Sequence, residues 1–195
     1  MERRMNASCN LCPFNCDIPE NAVGKCKVRG NIHGHVILLT YGQVTTMIEG
    51  PIEQKPLYHF YPGMKVLSIG SSGCNMFCGY CQNFEISQVG DAKAETIDPI
   101  DVVNKAKELG CEGIAFTYSE PLVWYEYVMN VAVSAKKVGL KTVLKTNGWI
   151  NEEKFSEMMD WIDAVNIDVK GSPELYKEVA GIDVCLLYTS PSPRD

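Results

Sequence analysis

The 195-residue chain reads as an α/β protein: successive strand–helix units forming a parallel sheet, behind a small cysteine-rich amino-terminal module. Three observations predict this. From residue 64 onward, short apolar runs alternate with longer patterns of helical period. Glycine, proline and the Asn147-Gly148 pair mark the changeovers. Before residue 64 that alternation is missing and cysteines are crowded together.

Taken in order, residues 36–39 and 44–48 read as a hairpin around Tyr41-Gly42-Gln43, closing a module over residues 1–50. Residues 51–63 (PIEQKPLYHFYPG) form a connector that is expected to be ordered, because Tyr58, His59, Phe60 and Tyr61 follow one another in it. The core is expected over 64–184. Residues 65–70 (KVLSIG) are its first strand, leading into a cysteine loop. Residues 98–109 are a helix, with Asp98 as cap, Pro99 in the first turn and Gly110 as the stop. The second strand is 113–117. A helix over 121–138 follows, with Trp124, Val128, Val131, Ala135 and Val138 on one stripe. Residues 141–146 are a third strand ended by Asn147-Gly148, 151–161 a helix, 164–169 a fourth strand, and 173–180 the start of another helix. In parallel sheets of this kind, functional side chains gather in the loops at the carboxyl ends of the strands.

Composition narrows the function. With 46% hydrophobic residues the chain can bury a core, and a net charge of −6 offers no general attraction to nucleic acid or anionic lipid. No apolar run approaches the roughly 20 residues of a membrane span. The start, MERRMNASCN, lacks the apolar stretch of a secretory signal. A cytoplasmic protein with no nucleic-acid or membrane partner is expected. Nine cysteines in such a protein read as metal ligands rather than disulfides.

They are unevenly spread: Cys9, Cys12, Cys16 and Cys26; then Cys74, Cys78 and Cys81; then Cys111 and Cys185 singly. Cys111, just ahead of a strand, reads as a core thiol. The middle set has C-x3-C-x2-C spacing. A [4Fe–4S] cube has four iron corners, so three thiolates leave one open to another ligand, as catalytic zinc sites do. Spacing alone also allows a zinc knuckle or three unrelated core cysteines. The glycine-rich strand end before the loop, Tyr80 before its last cysteine and the βα units after it favour the open cluster.

With these motifs the sequence resembles the radical SAM (S-adenosylmethionine) superfamily. The stretch from about Ser8 to Gly181 resembles its activating-enzyme-like branch, related to pyruvate formate-lyase activase, and more closely the AmmeMemoRadiSam-system radical SAM enzymes. The motifs are CNLCPFNC…GKCKVRGN, PIEQKPLYHFYPG, LSIGSSGCNMFCGYCQNFEISQ, GIAFTYSEP, KTNG and NIDVKG. The resemblance implies a radical SAM barrel of about six βα units, of which about four are present, so the chain is expected to be a truncated fragment. It also implies a [4Fe–4S] cluster on Cys74, Cys78 and Cys81, whose open iron takes the methionine end of SAM. Reductive cleavage would then give a 5′-deoxyadenosyl radical that abstracts hydrogen from an unknown substrate, a partner protein being one candidate. A reductant such as flavodoxin or ferredoxin is implied as well.

Site roles follow from the same resemblance. Tyr80 matches the aromatic near the adenine. Ser119 and Glu120, with Pro121, match a Gly-Gly-Glu-Pro segment along SAM's methionine end, Tyr118 and Ser119 standing for its glycines. Thr146 and Asn147 match an Asp-Thr-Asn-Gly segment whose acid is Lys145 here, so SAM's amine must be held differently. Asp168 matches a residue that approaches the ribose, and Lys170 one that meets the SAM carboxylate; a compact ammonium suits that task.

Cys9, Cys12, Cys16 and Cys26 are spaced C-x2-C-x3-C-x9-C. Four thiolates suit a second metal, either a structural zinc or an auxiliary iron–sulfur cluster. Two further classes stand beside the enzyme: a non-catalytic iron–sulfur electron carrier, and a zinc-stabilised interaction module. Residues 185–195 (CLLYTSPSPRD) break every pattern before them. They read either as a natural disordered tail or, more sharply, as resembling the translation of a sequencing adapter, in which case they are expected not to belong to the natural protein.

Overall fold

The computed structural model describes residues 6–89 and 93–182; the last two residues expected in the core and the adapter-like 185–195 lie outside them. Its strands are β1 Ala7–Ser8, β2 Asp17–Ile18, β3 Arg29–Ile32, β4 His35–Leu38, β5 Gln43–Val44, β6 Thr46–Pro51, β7 Lys65–Gly70, β8 Glu95–Thr96, β9 Gly113–Phe116, β10 Lys141–Thr146 and β11 Ala164–Ile167. Its helices are α1 Pro99–Glu108, α2 Tyr125–Lys137, α3 Glu152–Met159 and the single turn α4 Pro173–Leu175. A tighter turn, Pro121–Trp124, leads into α2, and wider ones span Glu85–Val89 and Tyr176–Ala180.

The main sheet has the order β11-β10-β9-β7-β6. Strands β7, β9, β10 and β11 are parallel, and β6 joins antiparallel at the β7 edge. Each crossover through α1, α2 and α3 moves one strand along in the same direction, the winding of a (β/α) barrel wall rather than of a doubly wound sheet.

Both faces are covered. Leu67, Ile69, Ile114, Phe116 and Leu144 pack with Val102, Val103 and Ala106 of α1 and Val128, Val131 and Ala135 of α2. On the other face Val66, Ala115 and Val143 meet Ile52 and Met64 from the connector. Burial on both faces explains why these strands read as near-continuous apolar runs.

The expected strands β7 and β10 have the predicted bounds, while β9 and β11 end at Phe116 and Ile167. Helix α2 stops at Lys137 and turns at Gly139 (φ 80°), so Val138 falls past the apolar stripe and is 44% exposed. Asp98 occupies the cap position of α1 without a side-chain cap bond.

The hairpin expected between 36–39 and 44–48 does not form. Instead β4 pairs with β3, Arg29 opposite Leu38, around His33 (φ 53°) and Gly34 (φ 79°). Two successive positive φ values are what a tight two-residue hairpin turn requires. Residues 46–51 instead pair with β7, from Thr46↔Gly70 to Pro51↔Lys65, because that strand would otherwise present an unsatisfied row of backbone groups. The boundary expected at residue 50 therefore falls inside a strand of the core sheet.

Candidate functional site

The loops following β7, β9, β10 and β11 open on a single cavity of about 500 Å³. Its wall includes Cys74, Cys78 and Cys81 together with Tyr80, Ser119, Glu120, Thr146, Asn147, Asp168 and Lys170. All of the residues expected around the cluster and SAM are thus brought together. The volume lies within the roughly 300–1,000 Å³ usual for small-molecule sites.

The cysteine loop leaves β7 at Gly70, where a Cβ would come within 2.6 Å of the Thr117 carbonyl; only glycine lets the two strand ends approach so closely. The loop is then tied down along its length. Phe77 and Gly79 donate their N–H groups to the Ala180 and Val179 carbonyls at 3.0 and 3.1 Å, and Gln88 Nε2 donates to the Met76 carbonyl at 2.8 Å. The sulfurs face hydrogen-bonding groups: Met76 N–H lies 3.3 Å from Cys74 Sγ, Asn147 Nδ2 3.8 Å from the same atom, and Ser87 Oγ 3.2 Å from Cys81 Sγ. Such contacts tune cluster thiolates.

Burial pushes the Cys74 thiol well above its ordinary range, and the Glu120 charge adds to this. Burial also raises Cys78, against the pull of Lys170. Metal binding at these positions must therefore displace protons. Among the described residues no group of three or more His, Cys, Asp or Glu side chains is arranged around a single-ion point. Ligands to separate corners of a cube would not be. The donor set fits a three-thiolate [4Fe–4S] cluster.

Glu120 ties β9 to β10. It is 3% exposed and accepts from Leu122 N–H (2.9 Å), Thr146 Oγ1 (2.5 Å) and Asn147 N–H (2.8 Å). Burial raises its carboxyl to about 7, partly offset by those three donors. Asn147 continues the chain of contacts, donating from Nδ2 to Asn75 Oδ1 at 2.8 Å.

At the ends of β10 and β11, Asp168 lies between two lysines: Lys145 Nζ is 3.5 Å from Oδ1 and Lys170 Nζ 3.3 Å from Oδ2. Burial pulls the Lys170 ammonium down, but Asp168 outweighs it and holds the group above its ordinary value. Its backbone N–H is anchored on Tyr176 Oη at 2.7 Å. Lys145, which stands where the resembling sequences carry an acid, is thus paired within the site.

Several lining residues escaped the sequence reading. Gln54 and Lys55 reach the cavity because the connector folds under the sheet through Ile52. Lys55 is 5% exposed; burial lowers its pKa, and neighbouring Lys145 adds to the effect. Asn83 also lines the cavity and donates to the Tyr118 carbonyl at 2.6 Å. Tyr118 has φ 75°, so it keeps a glycine-like backbone where the resembling pattern has glycine. The sequence marked the connector as ordered but not that it reaches the cavity; the glycine-like turn was visible only as a departure from a motif.

Away from this cavity, Cys9, Cys12, Cys16 and Cys26 line a second cavity of about 10 Å³ with Arg29 and Val123. Cys111 is a core thiol, 5% exposed. No helix among the described residues is long and apolar enough to cross a membrane.

A parallel α/β wall with three cysteines at its mouth defines a radical SAM fold, and the radical SAM superfamily model matches residues 68–183. The chain belongs to the radical SAM superfamily. It is 40% identical over 173 residues to the uncharacterised protein MJ0808 of Methanocaldococcus jannaschii, covering 88% of this chain and 51% of that protein. It is 26% identical to the 7-carboxy-7-deazaguanine synthase of the same organism, over 56% of this chain and 49% of the other. To the pyruvate formate-lyase 1-activating enzyme of Escherichia coli strain K12 it is 27% identical, over 62% of this chain and 52% of that enzyme. The chain is activating-enzyme-like in sequence, and it spans about half the length of the curated relatives it matches.

Proposed function

We propose that this chain carries the SAM-cleaving site of an activating-enzyme-like radical SAM enzyme, with Cys74, Cys78 and Cys81 holding a [4Fe–4S] cluster. Tyr80, Ser119, Glu120, Thr146, Asn147, Asp168 and Lys170 hold SAM. The observation that carries this reading is that all of them line one cavity at the carboxyl ends of four parallel strands. When bound, the cluster and SAM supply a reductive cleavage that yields a 5′-deoxyadenosyl radical for hydrogen abstraction.

The chain's own residues bind and orient. Three thiolates leave one cluster corner for SAM. Lys170, held by Asp168 and by Tyr176, presents a cation to the SAM carboxylate, and Asp168 an acceptor to the ribose. Tyr80, 57% exposed, offers its ring to the adenine. Glu120 keeps Thr146 and Asn147 in register with Cys74 and is the acid available near SAM's amine now that Lys145 is paired with Asp168. The exposed rings of Phe77, Tyr80 and Phe84 around the cysteine loop suit docking of a reductant such as flavodoxin or ferredoxin. The resemblance to activating enzymes supports a partner protein as the substrate, a barrel of about six βα units and a cytoplasmic setting. The Asp168–Lys170 pair, which an electron carrier would not need, favours the enzyme over the carrier.

The test is anaerobic reconstitution of the full-length protein with iron and sulfide, followed by SAM and a strong reductant. 5′-Deoxyadenosine is expected. A yield no higher than that of Cys78→Ala overturns the reading.

A further inference from the structure

We propose that Cys9, Cys12, Cys16 and Cys26 bind one zinc ion as a tetrathiolate site, and that its Cys12 turn braces the loop carrying Cys74, Cys78 and Cys81. Four cysteines from a 18-residue stretch, Cys9 to Cys26, converge on one cavity of about 10 Å³. That is the space of a single small guest, about one water-sized probe. That space suits one ion better than an eight-atom iron–sulfur cube. Among single ions, four thiolates bind Zn²⁺ more tightly than Fe²⁺ and in the tetrahedral geometry zinc adopts.

The surroundings are built for negative sulfur. The backbone N–H groups of Val28 and Arg29 face Cys26, and Phe14 N–H and the Asn75 side chain face Cys12, an arrangement that favours thiolate. The turns that aim these donors are closed by Asn15 N–H on the Cys12 carbonyl and Lys27 N–H on the Gly24 carbonyl, with Asn15 and Lys27 both at positive φ. Zn²⁺ with four thiolates carries a net charge of −2, and a guanidinium shared with Glu126 stands at the cavity wall. Arg29 is 7% exposed, grips Glu126 through its two terminal nitrogens at 2.8 and 2.5 Å, and has its Nε buried without a hydrogen-bond partner. A buried N–H left unpaired beside four cysteines is accounted for once a sulfur becomes a thiolate acceptor.

As the chain stands, the four sulfurs are not drawn onto one point, since no group of three or more His, Cys, Asp or Glu among the described residues surrounds an ion site. Coordination supplies that pull, with each thiol releasing its proton as its sulfur binds. Rotation of the cysteine side chains brings the sulfurs together while the backbone turns stay in place.

The bracing rests on the cluster reading above. Asn75, fully buried, faces Cys12, donates to the Trp149 carbonyl at 2.6 Å and accepts from Asn147, which in turn faces Cys74 Sγ. Gly73, just before Cys74, has no room for a side chain: a Cβ would lie 2.5 Å from Val28 Cγ1 and 2.8 Å from the Cys26 carbonyl. The amino-terminal site is therefore the back wall of the cysteine loop.

The test keeps the two metal sites separate. Full-length protein carrying Cys74→Ala, Cys78→Ala and Cys81→Ala is expected to retain one zinc per chain and neither iron nor sulfide. Adding Cys16→Ser should remove the zinc, and adding Cys111→Ser should not. Stripped of metal and titrated with Co²⁺, the triple variant should show the visible absorption of a tetrahedral thiolate site at one equivalent, a readout that does not depend on the Cys16 variant folding. Retained iron, with or without sulfide, or the absence of any stoichiometric metal, overturns the zinc site whatever the fate of the cluster reading. In protein with its cluster ligands intact, Asn75→Ala should keep the zinc and alter the electron paramagnetic resonance signal of the reduced cluster; an unchanged signal overturns the bracing.

Discussion

Lys145 lies 3.5 Å from the same Asp168 carboxylate that Lys170 approaches from its other oxygen, so one acid at the end of β11 orients two cations at the cavity wall. Lys145 is 28% and Asp168 41% exposed, which limits the pair itself to at most about 1 kcal/mol of stability. Its consequence is the position of Asp168 rather than the fold.

Lys170→Ala is expected to weaken SAM binding about tenfold or more, because a charge-assisted hydrogen bond is worth about 1.5–3 kcal/mol. Lys145→Met should weaken it less and leave the unfolding free energy within about 1 kcal/mol of the parent. Equilibrium dialysis of SAM against reconstituted protein, with urea unfolding alongside, checks both. Unchanged SAM affinity in Lys170→Ala would count against its assignment.

Glu120 makes stability depend on pH. Its carboxyl titrates at about 7 when folded, against an ordinary value of 4.5. Between those values the folded state holds the proton that the unfolded state has lost. Its contribution is therefore fully present below pH 4.5 and is lost as pH rises through about 7. In metal-free protein, Glu120→Gln should flatten the fall in melting temperature across that window. Glu120→Ala should cost about 3 kcal/mol or more at pH 7, since it leaves Leu122 N–H, Asn147 N–H and the Thr146 hydroxyl without their acceptor. A parent protein whose melting temperature climbs steadily over the same window would contradict the raised carboxyl.

Tyr118 tests a backbone rather than a contact. At φ 75° a non-glycine residue carries roughly 1–2 kcal/mol of strain. Tyr118→Gly relieves it but gives up a ring that lies 5.4 Å from Lys55 Nζ, so the net change should stay within about 1 kcal/mol. Tyr118→Val, β-branched at the same φ, should destabilise by about 2 kcal/mol or more. Thermal denaturation of the two variants side by side decides the point; equal stability would mean the turn relaxes.

The strands that form the site were readable because their signal is local. A buried parallel strand writes itself as an apolar run, and Gly70, Asn147 and Gly148 mark where β7 and β10 stop. The C-x3-C-x2-C spacing likewise named its own chemistry, since three thiolates in one loop leave a cube one corner short.

Tertiary structure alone decided who meets whom. The strand-like run of residues 44–48 could not say whether they pair with 36–39 or with β7; the competing turn at His33-Gly34 and the open edge of β7 settled it. The connector's Lys55 and the Lys145–Asp168 contact join segments far apart in the chain, and no spacing rule encodes such neighbours. The sequence by itself determined the ligand types and the strand ends that present them. Long-range packing determined the cavity they share, the charges facing one another inside it, and the second set of cysteines standing behind its wall.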